Sequence, residues 1–240
     1  MKILKVKNEI EAGKLGSEII LDLVINKDKP VLGLATGSTP ISTYNQIIER
    51  TNSEKIDWTN VTTFNLDEYK GLKPTDDQSY DFFMRKQLFD HINIKKENTN
   101  IPSGSISTNE EANKYDELIA AKGGIDLQLL GLGTNGHVGF NEPPADFNSL
   151  TSIVNLVEST IESNARFFAK KEDVPTQAIS MGMKSIMSAK KILLIALGES
   201  KADAIAQLVN GKVDPSWPCT LLQNHKDVTI IIDEKAASKL

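Results

Sequence analysis

The densest chemistry in the chain lies at Gly131-Leu-Gly133-Thr-Asn135-Gly136-His137-Val-Gly139-Phe140-Asn141-Glu142-Pro143-Pro144. Four glycines let the backbone approach a small ligand closely. His137 is one of three histidines, and an imidazole with an unperturbed pKa of ~6.5 can both take and give a proton. Glu142 could orient that ring and hold one tautomer. The alternative is a structural histidine in a tight turn. Gly131-x-Gly133-x-x-Gly136 mimics a dinucleotide fingerprint, but such a fingerprint must open a long helix. Here another glycine and two prolines follow within eight residues.

Three further clusters carry polar groups. Asp67 and Glu68, in Asn65-Leu66-Asp67-Glu68-Tyr69, end an apolar run. A carboxylate there serves as a general base if burial raises its pKa from ~3.9; otherwise the pair is a solvated turn or a helix cap. Metal binding has little support, since no histidine or further acid lies nearby. Thr36, Gly37, Ser38 and Thr39 precede Pro40. Backbone N–H groups, hydroxyls and a helix dipole would converge there as an anion site suited to phosphate, or the four residues form an ordinary capped glycine turn. No Gly-Lys-[Ser/Thr] follows, so this is no Walker loop. Arg166, one of three arginines, lies between a polar stretch and two aromatics. Lys201 stands near a helix N-terminus, where a cation is unfavourable unless an anion is shared. Both could grip a phosphate, or be a surface ion pair and a solvated amine.

These clusters need elements to position them. Apolar runs at 30–36, 61–66, 125–132, 192–197 and 228–232 read as buried strands. Helical spacing marks 9–23, a helix opening near Pro40, 79–92, 109–121 and 200–209. Strands apolar on both faces and separated by helices indicate an α/β fold: one doubly wound, mostly parallel, Rossmann-like sheet with helices on both faces. A single domain over 1–240 is expected. Ligands of such sheets bind beyond the carboxyl ends of the strands, which is where all four clusters fall.

Composition narrows the rest. The net charge of −5 argues against nucleic acid as partner. No apolar stretch approaches the ~18–20 residues of a membrane span, and the charged N-terminus is no signal peptide. A single cysteine, Cys219, excludes an internal disulfide and a cysteine-based zinc site and fits a cytoplasmic location. No Gly-x-Ser-x-Gly elbow is present. The groups suggest proton shuttling on a small phosphorylated, polyhydroxylated molecule.

Across nearly its whole length the chain resembles the glucosamine-6-phosphate deaminases, also called isomerases. The resemblance rests on LATGSTP at 34–40, TFNLDEY at 63–69, QSYDFFM at 78–84, LLGLGTNGHVGFNEP at 129–143, NARFF at 164–168, AISMGM at 178–183 and ALGESKA at 196–202. It implies conversion of glucosamine 6-phosphate and water to fructose 6-phosphate and ammonia, without a cofactor or metal. By the same resemblance His137, with Asn135 and Glu142, opens the sugar ring. Asp67 moves a proton from C2 to C1. Thr36, Gly37, Ser38, Thr39, Arg166 and Lys201 hold the phosphate.

Many family members carry Asp where this chain has Asn135, which leaves more of the orienting of His137 to Glu142. The stretch after Glu142-Pro143 lacks the basic residues with which longer members bind N-acetylglucosamine 6-phosphate, so no such activation and a monomer or low homo-oligomer are expected. Residues from about 149 to 175 are expected to form a mobile lid. Two alternatives are weighed. A 6-phosphogluconolactonase usually shows Asp-Glu-Arg where this chain has Asp67-Glu68-Tyr69. A non-catalytic sugar-phosphate sensor would need a DNA-binding module and would not need both Asp67 and His137.

Overall fold

Uninterrupted apolar strands need cover on both faces, and the structure provides it. A computed structural model describes the chain except for Arg166, Phe167 and Ala169 and the side chains of Ser159 and Ser163. In chain order the elements are β1 (Lys2–Val6), α1 (Glu9–Asn26), β2 (Val31–Leu34), α2 (Ile41–Glu54), β3 (Thr62–Asn65), β4 (Asp67–Tyr69), α3 (Tyr80–Gln87), β5 (Thr99–Asn100), α4 (Asn109–Ala121), β6 (Leu127–Leu130), β7 (Ser152–Asn155), α5 (Glu158–Asn164), β8 (Gln177–Ser180), α6 (Met183–Met187), β9 (Ile192–Ala196), α7 (Ala202–Asn210) and β10 (Val228–Asp233).

Seven strands form one sheet in the order β1-β10-β9-β6-β2-β3-β5, and every pairing in it is parallel. Every residue of β2, β6 and β9 is buried, as expected of a parallel sheet covered on both sides. The α/β fold expected from the sequence is observed, and the main sheet is wholly parallel. From β2 the chain builds outward through β3 and β5, then returns to place β6 on the other side of β2. The crevice where such a reversal occurs is the ordinary ligand site of open α/β sheets. It lies between the loops that follow β2 and β6.

A second sheet, β4-β8-β7, is antiparallel and was not expected from the sequence. The run 61–66 does not stop at its end. Leu66 donates its N–H to Leu34 O (3.2 Å) in the main sheet and accepts at its carbonyl from Met181 N (2.8 Å). The chain thus passes directly from β3 into β4, carrying Asp67 from one sheet to the other. The helix expected over 79–92 is shorter, because at Leu88 the backbone leaves the helical region (φ −146°) and only a 3-10 turn follows.

At the opposite edge, Asp126 ties the starts of two central strands together. Its Oδ2 accepts from Val31 N (2.8 Å), and its Oδ1 pairs with Lys27 and with Lys190 (2.8 Å). Burial works against the charged form, yet the two ammonium groups and the N–H donor outweigh it and lower the Asp126 pKa. We expect Asp126→Ala to cost about 2 kcal/mol, because it strands a buried backbone donor. Urea unfolding at pH 7 measures this. The difference from wild type should shrink once pH falls below about 4, where the unfolded carboxyl is already protonated.

Candidate active site

The two acids after β3 have separate fates because successive residues of a strand point to opposite sides. Glu68 turns toward α3 and accepts from Tyr69 N (2.8 Å), Tyr80 N (3.0 Å) and Asp81 N (3.1 Å). It is a cap for the first turn of α3, although burial still pushes its carboxyl up to about 7. Asp67 faces the crevice. It is only 6% exposed, and no described residue donates a hydrogen bond to it. Burial, with the Glu68 charge adding, pushes its carboxyl up to about 8.

The loop after β6 brings the imidazole to the same crevice. Gly133 passes directly under the His137 ring, where an added Cβ would meet the ring atoms at 2.3 Å. His137 Nδ1 lies 2.7 Å from Asn135 Oδ1 and 3.3 Å from Glu142 Oε1. Two acceptors at Nδ1 assign the proton to that nitrogen, which leaves Nε2 to exchange protons. Asn135 closes the set by donating from Nδ2 to Glu142 Oε2 (2.8 Å). Burial acts to raise the Glu142 carboxyl. The adjacent imidazole, the Thr160 hydroxyl (2.7 Å) and the Asn135 amide outweigh it and hold that carboxyl down to about 2.

The small antiparallel sheet fixes this loop against Asp67. Asp67 stands opposite Ser180 in the β4–β8 register. Ser180 Oγ accepts from Phe140 N (3.1 Å), and Asn141 donates to Met181 O (2.9 Å). Gly139 adopts φ +58°, and a Cβ there would lie 3.3 Å from Ser180 Oγ and 3.7 Å from Asp67 Oδ2. The base candidate and the His137 loop are therefore packed against one another at a glycine.

At the other side of the crevice, residues 36–39 follow β2 at the start of α2, where Tyr44 donates to Ala35 O (2.6 Å) and anchors the strand end. Thr36, Gly37, Ser38, Thr39, Asp67, Asn135, His137 and Lys201 all line one cleft of about 490 Å³, a size suited to small molecules. Glu142 stands behind His137. Lys201 precedes α7, has no counter-ion among the described residues, and has its pKa lowered by burial. An unpaired, half-buried ammonium at the mouth of such a cleft favours an anionic ligand. Arg166 lies outside the described residues. A second depression, of about 410 Å³, lies near the ends of α1 and α2. There Lys27 is already paired with Asp126 and Glu54 with Arg50.

Several lining groups were not found from the sequence. Tyr69 and Tyr80 pack at 4.8 Å between ring centroids, Phe140 and Phe168 pack on Tyr69, and Tyr80 stacks on Phe140. Burial pushes the Tyr69 phenol up to about 12, against hydrogen bonds from Tyr80 and Asn164. Thr160 and Asn164 are one helical turn apart on α5, a spacing too common among polar residues to signal a site. Among the described residues no cluster of His, Cys, Asp and Glu could hold a metal ion, and no helix is long and apolar enough to cross a membrane.

Comparison with known proteins agrees with this geometry. A family profile described as glucosamine-6-phosphate isomerases/6-phosphogluconolactonase matches residues 11–231. A glucosamine-6-phosphate deaminase of Mycoplasma mycoides subsp. mycoides is 53% identical over 240 residues, covering 100% of this chain and 98% of the relative. A solved structure of a monomeric glucosamine-6-phosphate deaminase superposes with a TM-score of 0.97 at 42% identity, over the full length of both chains. A 6-phosphogluconolactonase from Leishmania guyanensis shares the fold, with a TM-score of 0.77, but only 18% identity over 100% of this chain and 98% of that one. With a family profile over most of its length and a relative more than half identical, the chain is a member of the glucosamine-6-phosphate isomerase/6-phosphogluconolactonase family.

Proposed function

We infer that this protein is a glucosamine-6-phosphate deaminase, converting glucosamine 6-phosphate and water to fructose 6-phosphate and ammonia. The observation that carries the reading is a buried carboxyl, Asp67, without a hydrogen-bond donor among the described residues and packed at Gly139 against the loop that presents His137. The 53% and 42% identical deaminases over the whole chain support it. The lactonase likeness bears on fold alone.

The roles follow from the chemistry required. His137 Nε2 takes the proton of the anomeric hydroxyl and returns one to the ring oxygen, opening the pyranose to the aldehyde. Asn135 and Glu142 hold Nδ1–H and steady the imidazolium between the two transfers. Asp67 removes the C2 proton. As the C2–H bond breaks, the C1 carbonyl oxygen takes a proton from the adjacent C2 ammonium, and a neutral enolamine forms. The same carboxyl then delivers its proton to C1, which leaves an iminium at C2. Water adds at C2 and ammonia departs. Every step is a proton transfer, a hydration or the loss of ammonia, so no redox cofactor is required. Thr36, Gly37, Ser38, Thr39, Lys201 and Arg166 hold the phosphate, whose binding positions the distant C1–C2 centre. Residues 149–175 close over the sugar as a lid. We expect protease protection of that stretch when a non-reacting substrate analogue is added; unchanged cleavage would remove the lid. A monomer or low homo-oligomer fits the monomeric relative matched over the full length of both chains, and a cytoplasmic location fits the single cysteine.

In a coupled fructose-6-phosphate assay, Asp67→Asn should lose ~10²-fold or more in kcat. The same change should stabilise the fold. In the native state this carboxyl titrates near 8, against ~3.9 when unfolded. Through this group, stability is therefore highest below about pH 4 and is lost as pH rises toward about 8. Asparagine carries no charge at any pH, so a penalty of about 4 kcal/mol at pH 7 is relieved; the buried, unpartnered amide groups offset part of it, and we expect a net gain on the order of 1–2 kcal/mol. In wild type, kcat/KM should fall as pH drops below about 8, because the free enzyme's base becomes protonated. The C2 ammonium of bound substrate lowers that carboxyl, so the acid limb of kcat should lie at lower pH than that of kcat/KM. Lys201→Ala should mainly raise KM with kcat little changed, if the phosphate is held equally in ground and transition states.

A further inference from the structure

The Glu142 carboxylate has a third partner that the mechanism above does not use. Its Oε2 is taken by Asn135 Nδ2 (2.8 Å). Its Oε1 stands 3.3 Å from His137 Nδ1 and accepts a 2.7 Å hydrogen bond from Thr160 Oγ1. The hydroxyl therefore grips the same oxygen that faces the imidazole. Thr160 is 7% exposed, and Glu142 is buried behind His137 with its side chain 9% exposed, so solvent is a poor substitute for this donor. Without it, the carboxylate keeps only the Asn135 amide and the 3.3 Å imidazole contact, so it could turn about its terminal bond and hold the imidazole less firmly.

Thr160 also sits on an element with a second polar tie to the site. Asn164, one turn further along α5, lines the same cleft and acts to lower the pKa of the Tyr69 phenol near Asp67. Ile161 and Phe168 pack into the aromatic cluster of Tyr69 and Phe140. One short helix thus touches the His137 group at one residue and the surroundings of Asp67 at another.

Resting on the deaminase reading, we propose that Thr160 is a positioning residue for the ring-opening step: its hydroxyl fixes the Glu142 carboxylate and, through it, the plane of the His137 ring. It touches neither C1 nor C2, so the step it supports is proton exchange at the anomeric oxygen and not removal of the C2 proton.

The test compares Thr160→Val, which keeps shape and removes the donor, with Thr160→Ser, which keeps the donor. Three quantities are read on the full chain: kcat for glucosamine 6-phosphate, the isotope effect with C2-deuterated substrate, and affinity for the open-chain analogue 2-amino-2-deoxyglucitol 6-phosphate. A lost hydrogen bond to a charged group predicts a fall in kcat of about tenfold for Thr160→Val. Thr160→Ser should stay within about twofold of wild type. The isotope effect in Thr160→Val should be no larger than in wild type, and analogue affinity should hold. A wild-type rate in Thr160→Val would overturn the proposal. So would equal damage in both variants, loss of analogue affinity in proportion to rate, or a larger C2 isotope effect, which would place the defect at Asp67. Failure of the wild-type enzyme to release ammonia would instead sink the deaminase reading itself.

Discussion

The site is organised around a carboxyl group that the protein declines to satisfy. Asp67 is buried with no donor among the described residues, while its neighbour Glu68 takes three backbone N–H groups. A buried acid without partners lies high in energy when charged, so its proton affinity rises. That is a cost to the fold and the condition for general-base chemistry near neutral pH. Strand alternation makes the separation possible. One residue faces the helix that needs a cap, and the next faces the crevice.

Holding such a group against a distant loop is the task of the second sheet. The main sheet delivers the strand ends to one edge but sets no distance between the turn after β3 and the loop after β6. The step at Leu66 moves the chain out of the parallel sheet, and pairing with β8 places Ser180 opposite Asp67. Ser180 Oγ and Met181 O then collect the 140–141 backbone and side chain. Three hydrogen-bonded elements, none longer than four residues, thus set the relation between base and imidazole.

This division explains what could be read from sequence. The central strands β2, β6 and β9 are apolar throughout, and burial on both faces of a parallel sheet demands that pattern. β1 was missed because Lys2 and Lys5 break its apolar run at an edge position. β7 and β8 were missed because four-residue segments such as Ser-Ile-Val-Asn and Gln-Ala-Ile-Ser carry no periodic signal. Asp67, His137 and Glu142 stood out because their residue types are chemically costly at strand ends and in a glycine-dense loop. Residue types alone could not apportion the Asp67–Glu68 pair, since strand and cap readings differ only in which side chain faces inward; only the family resemblance singled out Asp67. Thr160 was silent for a different reason: a threonine on a short polar helix acquires meaning only when its partner, eighteen positions earlier in the chain, is seen.

The contrast between Asp67 and Glu142 completes the logic. One carboxyl lines the cleft and the other stands behind His137; both lose solvent, and they move in opposite directions, toward about 8 and about 2. Three donors make the difference. A carboxyl surrounded by Asn135, His137 and Thr160 stays charged through any physiological swing, so it can steady an imidazole that alternates between neutral and protonated forms. A carboxyl with no donor among the described residues is free to change its own charge during turnover. Pairs of acids driven apart by environment are how one site separates a group that orients from a group that reacts. The half-buried Lys201 ammonium, without a counter-ion among the described residues, obeys the same rule with opposite sign. It is strained toward neutrality until an anion arrives, so an anionic ligand relieves at one end of the cleft what the protein has left unpaired there.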